Sequence, residues 1–135
     1  MTSPTDMNPA QAAALWSGLL ILLLGLLSMR VLLARRKHEG DPDDGDTSEL
    51  AAATKVFGNA AEYIPVSIGT LILLYHLELP VMAIHALGVT LLAARLIQAI
   101  GLATSKSTSS RMAAMALTLI ALFACGGILV VHALV

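Results

Sequence analysis

Charge is what this chain has least of. Asp, Glu, Lys and Arg make up 13% of its 135 residues, and the stretch from Met7 to Met29 holds none of them. A soluble domain of this length needs far more polar surface, so a freely soluble globular protein is excluded. Cysteine is nearly absent as well: Cys125 stands alone, which excludes an intrachain disulfide and a thiolate metal cluster. Its apolar surroundings also argue against a reactive thiol. The first seven residues contain no Lys or Arg, so the basic leader of a cleaved signal peptide is missing and the segment is expected to be retained. A net charge of −1 is uninformative as a sum, and no nucleic-acid partner is expected.

What the chain has instead is hydrocarbon. Hydrophobic residues reach 57% and mean hydropathy is +0.82, which predicts an integral membrane protein. At roughly 20 residues per crossing, the length holds four spans in one domain, 1–135. The spans are predicted at 10–36, 48–77, 81–102 and 111–135, forming an all-α, up-down-up-down four-helix bundle. Asn8-Pro9 supplies a cap and a proline first residue for the first span. Arg35, Arg36 and Lys37 form a basic collar at its end. The acidic loop 38–47 has nothing apolar to bury and reads as a solvated connector; its aspartates lack the spacing of an EF-hand. Asp46 or Thr47 is expected to cap the second helix, with Glu49 completing a capping box. Pro65 is expected to kink that helix and free the carbonyl of Ala61. Leu77-Glu78-Leu79-Pro80 reads as a tight hairpin, and the alanines and glycines of the last span suit close helix packing.

Four antiparallel spans bring the end of the first, the start of the second, the end of the third and the start of the fourth to one side. All eight Lys and Arg residues gather there: Arg30, Arg35, Arg36, Lys37, Lys55, Arg95, Lys106 and Arg111. The positive-inside rule makes that side cytoplasmic and leaves both termini outside. On the second span, Lys55, Asn59 and Glu62 lie at i, i+4 and i+7 on one face. On the third, Arg95 and Gln98 share a face, with Arg95 well inside the apolar run. Cations around one amide and one carboxylate at the hydrocarbon boundary suit a flexible ligand bearing carboxylates and an amine. An arginine in such a site also stabilises a thiolate. Taken singly, Arg30, Lys55 and Arg111 also fit interfacial anchors, and Asn59 and Glu62 fit helix-joining roles with Glu62 paired to Arg95 or Arg30.

The segments Gly58-Asn59-Ala60-Ala61-Glu62-Tyr63-Ile64-Pro65 and Ala94-Arg95-Leu96-Ile97-Gln98-Ala99-Ile100-Gly101-Leu102 carry a resemblance. With the four-span plan and the basic end of the first span, they resemble the membrane-associated proteins in eicosanoid and glutathione metabolism, the MAPEG superfamily. The resemblance runs from about Ala14 to the last span. It implies a homotrimer that binds glutathione between subunits and acts as a transferase or peroxidase on lipophilic electrophiles or hydroperoxides. It further implies a bacterial-type member in the inner membrane, in contact with lipid. By the same resemblance Arg111 stabilises the glutathione thiolate, while Arg30, Lys55, Asn59, Glu62, Arg95 and Gln98 hold the peptide. Gly58, Gln98 and Leu102 depart from residues common in eukaryotic members, which carry a basic residue, a histidine and a tyrosine there.

Two other functional classes stay open on the residues alone. One is a binding or scaffold protein that keeps the fold without turnover. The other is a small four-span exporter using Glu62 for proton exchange, against which the surrounding bases would repel cationic cargo. His76 reads as hairpin surface, and His85 and His132 as packing or outer-face residues rather than metal ligands. Trp16, Tyr63 and Tyr75 fit interfacial positions, although Tyr63 also lies within reach of the polar cavity. No metal site is expected.

Overall fold

Asn8 opens the first helix with a reciprocal cap. Its Oδ1 accepts the backbone N–H of Gln11 at 2.8 Å, and Gln11 Oε1 accepts the N–H of Asn8 at 3.0 Å. Pro9 between them has no N–H to orphan. The computed structural model describes residues 3–37, 47–104 and 108–135, side chains at 47, 48, 101–104 and 108–111 excepted. Four helices account for nearly all of them: α1 Pro9–Lys37, α2 Thr47–His76, α3 Val81–Thr104 and α4 Thr108–Leu134. A 3-10 turn at Pro4–Asp6 precedes them. The acidic stretch 38–46, with the cap assigned to Asp46, lies outside the described residues.

Each helix is long and apolar enough to cross a membrane. The chain is a multi-pass membrane protein with an all-α bundle. Two contacts fix its ends: Trp16 on α1 meets His85 on α3, while Lys37 meets Glu49 of α2 at 3.3 Å. From Trp16 to Lys37 the helix rises by 21 steps, about 32 Å, one hydrocarbon thickness.

The hairpin joining α2 to α3 is a Schellman turn. The N–H of Glu78 bonds the carbonyl of Tyr75 at 3.0 Å, and that of Leu79 reaches Leu74 at 3.2 Å. The pattern requires a left-handed residue, and Glu78 takes it with φ of 59° where glycine would be usual. Leu79 packs against the core that holds the fully buried Leu74. Pro80 then starts α3 by accepting from Ala83 and Ile84.

Helix α3 is the axis of the bundle. Of its most apolar stretch 44% is buried, against 17% for α1 and 22% for α4. Helices α1, α2 and α3 pack as a triangle, while α4 leans on α3 and barely meets α2. Leu20, Ile64, Leu71, Leu74 and Ile84 fill the triangle. Ala114 and Ala121 are buried on α4, but Ala113, Ala116, Ala124, Gly126 and Gly127 are exposed. These five small residues of α4 thus lie outside the packing of the single chain.

Helix α2 stays helical through Pro65. The buried hydroxyls of Ser67 and Thr70 bond back to the carbonyls of Tyr63 and Val66, at 2.9 and 2.8 Å. Trp16, near the start of α1, also packs against α3. Its indole sits on Gly88, where a Cβ would fall inside the ring, and its Nε1 donates to His85 Nδ1 at 3.0 Å. His85 Nε2 donates in turn to the carbonyl of Pro4 at 2.8 Å, so the imidazole is the Nε2–H tautomer and straps the N-terminal turn to α3.

Candidate functional site

Arg95 lies at 3% exposure in the cleft where α2 and α4 hardly touch, and it fills that gap. Its Nη1 donates to Asn59 Oδ1 of α2 at 2.6 Å, and its Nη2 donates to Thr118 Oγ1 of α4. The guanidinium also stacks over the Tyr63 ring, 4.5 Å from the centroid. The Thr118 hydroxyl in turn donates a hydrogen bond to the carbonyl of Ala114 at 2.9 Å. A cation buried among neutral partners is costly, and the aromatic face with two oxygen acceptors offsets that cost.

Helix geometry explains which α2 residues join this brace. Asn59 and Tyr63 are four apart and lie about 40° from each other around the axis. Glu62 is about 100° from Tyr63 and turns away. The buried stripe of α2, Val56, Ala60, Ile64, Ser67 and Leu71, lies on the opposite flank from Glu62. The shared face of Lys55, Asn59 and Glu62 is thus split by packing: Asn59 is drawn in, while Lys55 and Glu62 stay exposed.

The site residues accordingly fall into two sets. The inner set is Asn59 and Arg95, with Gln98 one turn further along α3 and 5% exposed. Gln98 Oε1 is buried without a hydrogen-bond partner. The outer set is Arg30, Lys55 and Glu62, all exposed and forming no hydrogen bond or ion pair among the described residues. Glu62 therefore pairs with neither Arg95 nor Arg30 in the single chain. Arg111 falls on the first turn of α4, seven residues before Thr118; its side chain lies outside those described.

Sequence reasoning missed Thr118. The available signal was a lone hydroxyl two helical turns beyond Arg111 in an otherwise apolar stretch. Among the described residues no group of His, Cys, Asp or Glu is arranged to hold a metal ion.

The MAPEG family profile matches residues 13–131, a range that includes every one of these positions. The chain belongs to the MAPEG family. Inner membrane protein YecN of Escherichia coli K12 is 35% identical over 89 residues, covering 66% of this chain and 68% of that protein. YecN of Escherichia coli O6:H1 matches over the same lengths at the same identity. No solved structure matches. Within a MAPEG chain, the brace at Arg95 and the exposed Lys55–Glu62 edge lie toward the end of the bundle where the described Lys and Arg residues gather.

Proposed function

We propose that this MAPEG protein binds glutathione at its charged end and activates the thiol for attack on a lipophilic electrophile or hydroperoxide. The observation that carries this reading is Glu62. It sits 14 residues, about 21 Å of helix, from the His76 end of α2, on a face shared with the exposed Val66 and Leu73. A carboxylate facing lipid at that depth is costly unless something covers it. A second copy of the chain supplies the cover, with glutathione in the seam. The homotrimer belongs to this proposal.

Within that seam, Glu62 takes the amine of the peptide, and Arg30 and Lys55 take its carboxylates. Asn59, held by Arg95, presents its amide, and Arg95 acts mainly by fixing Asn59. The unpartnered Oε1 of Gln98 accepts a donor from the ligand. Arg111 stabilises the thiolate, which attacks an electrophile arriving from the bilayer. On a hydroperoxide, the thiolate attacks the distal oxygen and displaces alkoxide, which leaves as the alcohol after protonation; the glutathione sulfenic acid so formed condenses with a second glutathione to give the disulfide and water. The gathering of cations supports a cytoplasmic position for this end with the termini outside, and the likeness to YecN supports a bacterial inner membrane.

Glutathione titration of the purified protein tests the proposal. The parent binds, and Glu62→Gln weakens binding at least about tenfold by removing a charge-assisted bond. Absence of binding by a well-folded parent overturns it. Binding without turnover assigns the chain to the scaffold class instead, a reading favoured by Arg95 being committed to internal partners.

A further inference from the structure

The end of the bundle away from the gathered cations is held by one imidazole. His85, at the start of the second turn of α3 and 8% exposed, commits both ring nitrogens to other elements. Its Nδ1 accepts from Trp16 Nε1 of α1 at 3.0 Å, and its Nε2 donates to the carbonyl of Pro4 at 2.8 Å. The indole meets the imidazole edge-on, with ring centroids 6.1 Å apart. An indole N–H can only donate, so Nδ1 has to be unprotonated. The other hydrogen bonds of the N-terminal turn are internal: Ser3 Oγ to Thr5 Oγ1, Ser3 Oγ to Asp6 Oδ2, and the N–H of Asp6 to the carbonyl of Ser3. Among the described residues, the Pro4–His85 bond is thus the one hydrogen bond that ties Ser3–Asp6 to a helix.

We propose that His85 is a proton-operated latch: neutral, it holds the N-terminal turn and Trp16 on α3, and protonated, it lets both go. A proton added at Nδ1 sets one N–H against another, so the indole loses its acceptor and two donors oppose each other in a buried seat. No charge nearby compensates. Helix α1 carries no titratable residue from Pro9 to Met29. The remaining titratable groups at this end are Asp6 on the turn, Tyr75 and His76 at the end of α2, Glu78 in the hairpin and His132 near the end of α4, all exposed, with the buried Cys125 deeper on α4. None of them bonds to His85. Imidazole is the side chain whose charge ordinarily changes between about pH 5 and 8, and its protonation shifts the elements it joins. Trp16 rests directly on Gly88 with no side chain between them, so an unpinned indole that leaves opens the α1–α3 seam at that level. Arg95 lies ten residues, about 15 Å of helix, further along α3, and its brace to Asn59 and Thr118 stays in place. The latch depends neither on glutathione binding nor on which compartment the termini face.

Trp16 is the sole tryptophan of the chain, so its emission reports on the seat directly. The full chain in detergent is taken from about pH 8 to about pH 5 while acrylamide quenching of Trp16 and amide hydrogen exchange of residues 5–8 are followed, with exchange corrected for the intrinsic effect of pH. In the parent, acidification is expected to raise the quenching constant at least about twofold and the corrected exchange rate about tenfold, reversibly. His85→Gln offers an amide oxygen to the indole and an amide N–H to Pro4 without titrating, and is expected to stay closed at both ends of the range. His85→Phe, which makes neither bond, is expected to be open at both. His76→Gln and His132→Gln keep the response of the parent, and circular dichroism of each variant confirms that helix content is kept. An unchanged parent, a response that survives in His85→Gln, its loss in His76→Gln or His132→Gln, or a change in emission without faster exchange overturns the proposal.

Discussion

At the scale of single residues, the cleft shows how one buried cation is kept by neutral neighbours. Thr118 accepts from one arm of Arg95 and donates to the carbonyl of Ala114 on α4. Thr118→Val keeps the shape but strips the acceptor from a buried guanidinium, and is expected to cost about 1.5–3 kcal/mol of stability. Thermal unfolding in detergent checks this; a change below about 0.5 kcal/mol would mean the bond contributes little. Gln98 is the opposite case, a buried acceptor left without a partner. Gln98→Leu removes that penalty and is expected to stabilise the ligand-free protein by about 1 kcal/mol while weakening glutathione binding. The paired outcome separates a ligand-facing amide from a packing residue, since packing alone would leave binding unchanged.

At the scale of elements, the hairpin and the N-terminal strap each rest on one unusual residue. Glu78 occupies the left-handed position of a Schellman turn that glycine tolerates at no steric cost. Glu78→Gly is therefore expected to raise stability by up to about 1 kcal/mol, read as a higher unfolding midpoint. Gly88 is a glycine for a different reason, since the Trp16 indole fills the space of its Cβ. Gly88→Ala is expected to cost about 1–3 kcal/mol by overpacking. In a Trp16→Ala background that cost should vanish, and a double-mutant cycle measures the coupling. Much of this element-level structure was legible in the residues. Asn8-Pro9 marked the start of α1, and Leu77–Pro80 could hold only a tight turn. The Trp16–Gly88–His85 seat was not legible, because its partners are about 70 residues apart and no local spacing records a contact between helices. Thr118 escaped for the same reason. The split of Lys55 and Glu62 from Asn59 required knowing which flank of α2 faces the bundle.

At the scale of the molecule, the imbalance of burial is the main fact. Helices α1 and α4 keep most of their apolar surface outside, and α2 exposes a face that carries Glu62. Lipid covers apolar side chains, but it does not cover a carboxylate cheaply. The proposed site between copies rests on that asymmetry. An oligomer held partly through Glu62 is expected to loosen in Glu62→Leu, seen as a smaller assembly by light scattering in detergent. The most direct test of the account is the difference absorbance of a bound thiolate when glutathione is added to the parent protein and to Arg111→Ala. The account predicts a thiolate signal near neutral pH in the parent and its loss in Arg111→Ala, with peptide binding retained. A parent that binds glutathione only as the thiol, or an undiminished thiolate signal in Arg111→Ala, would contradict it.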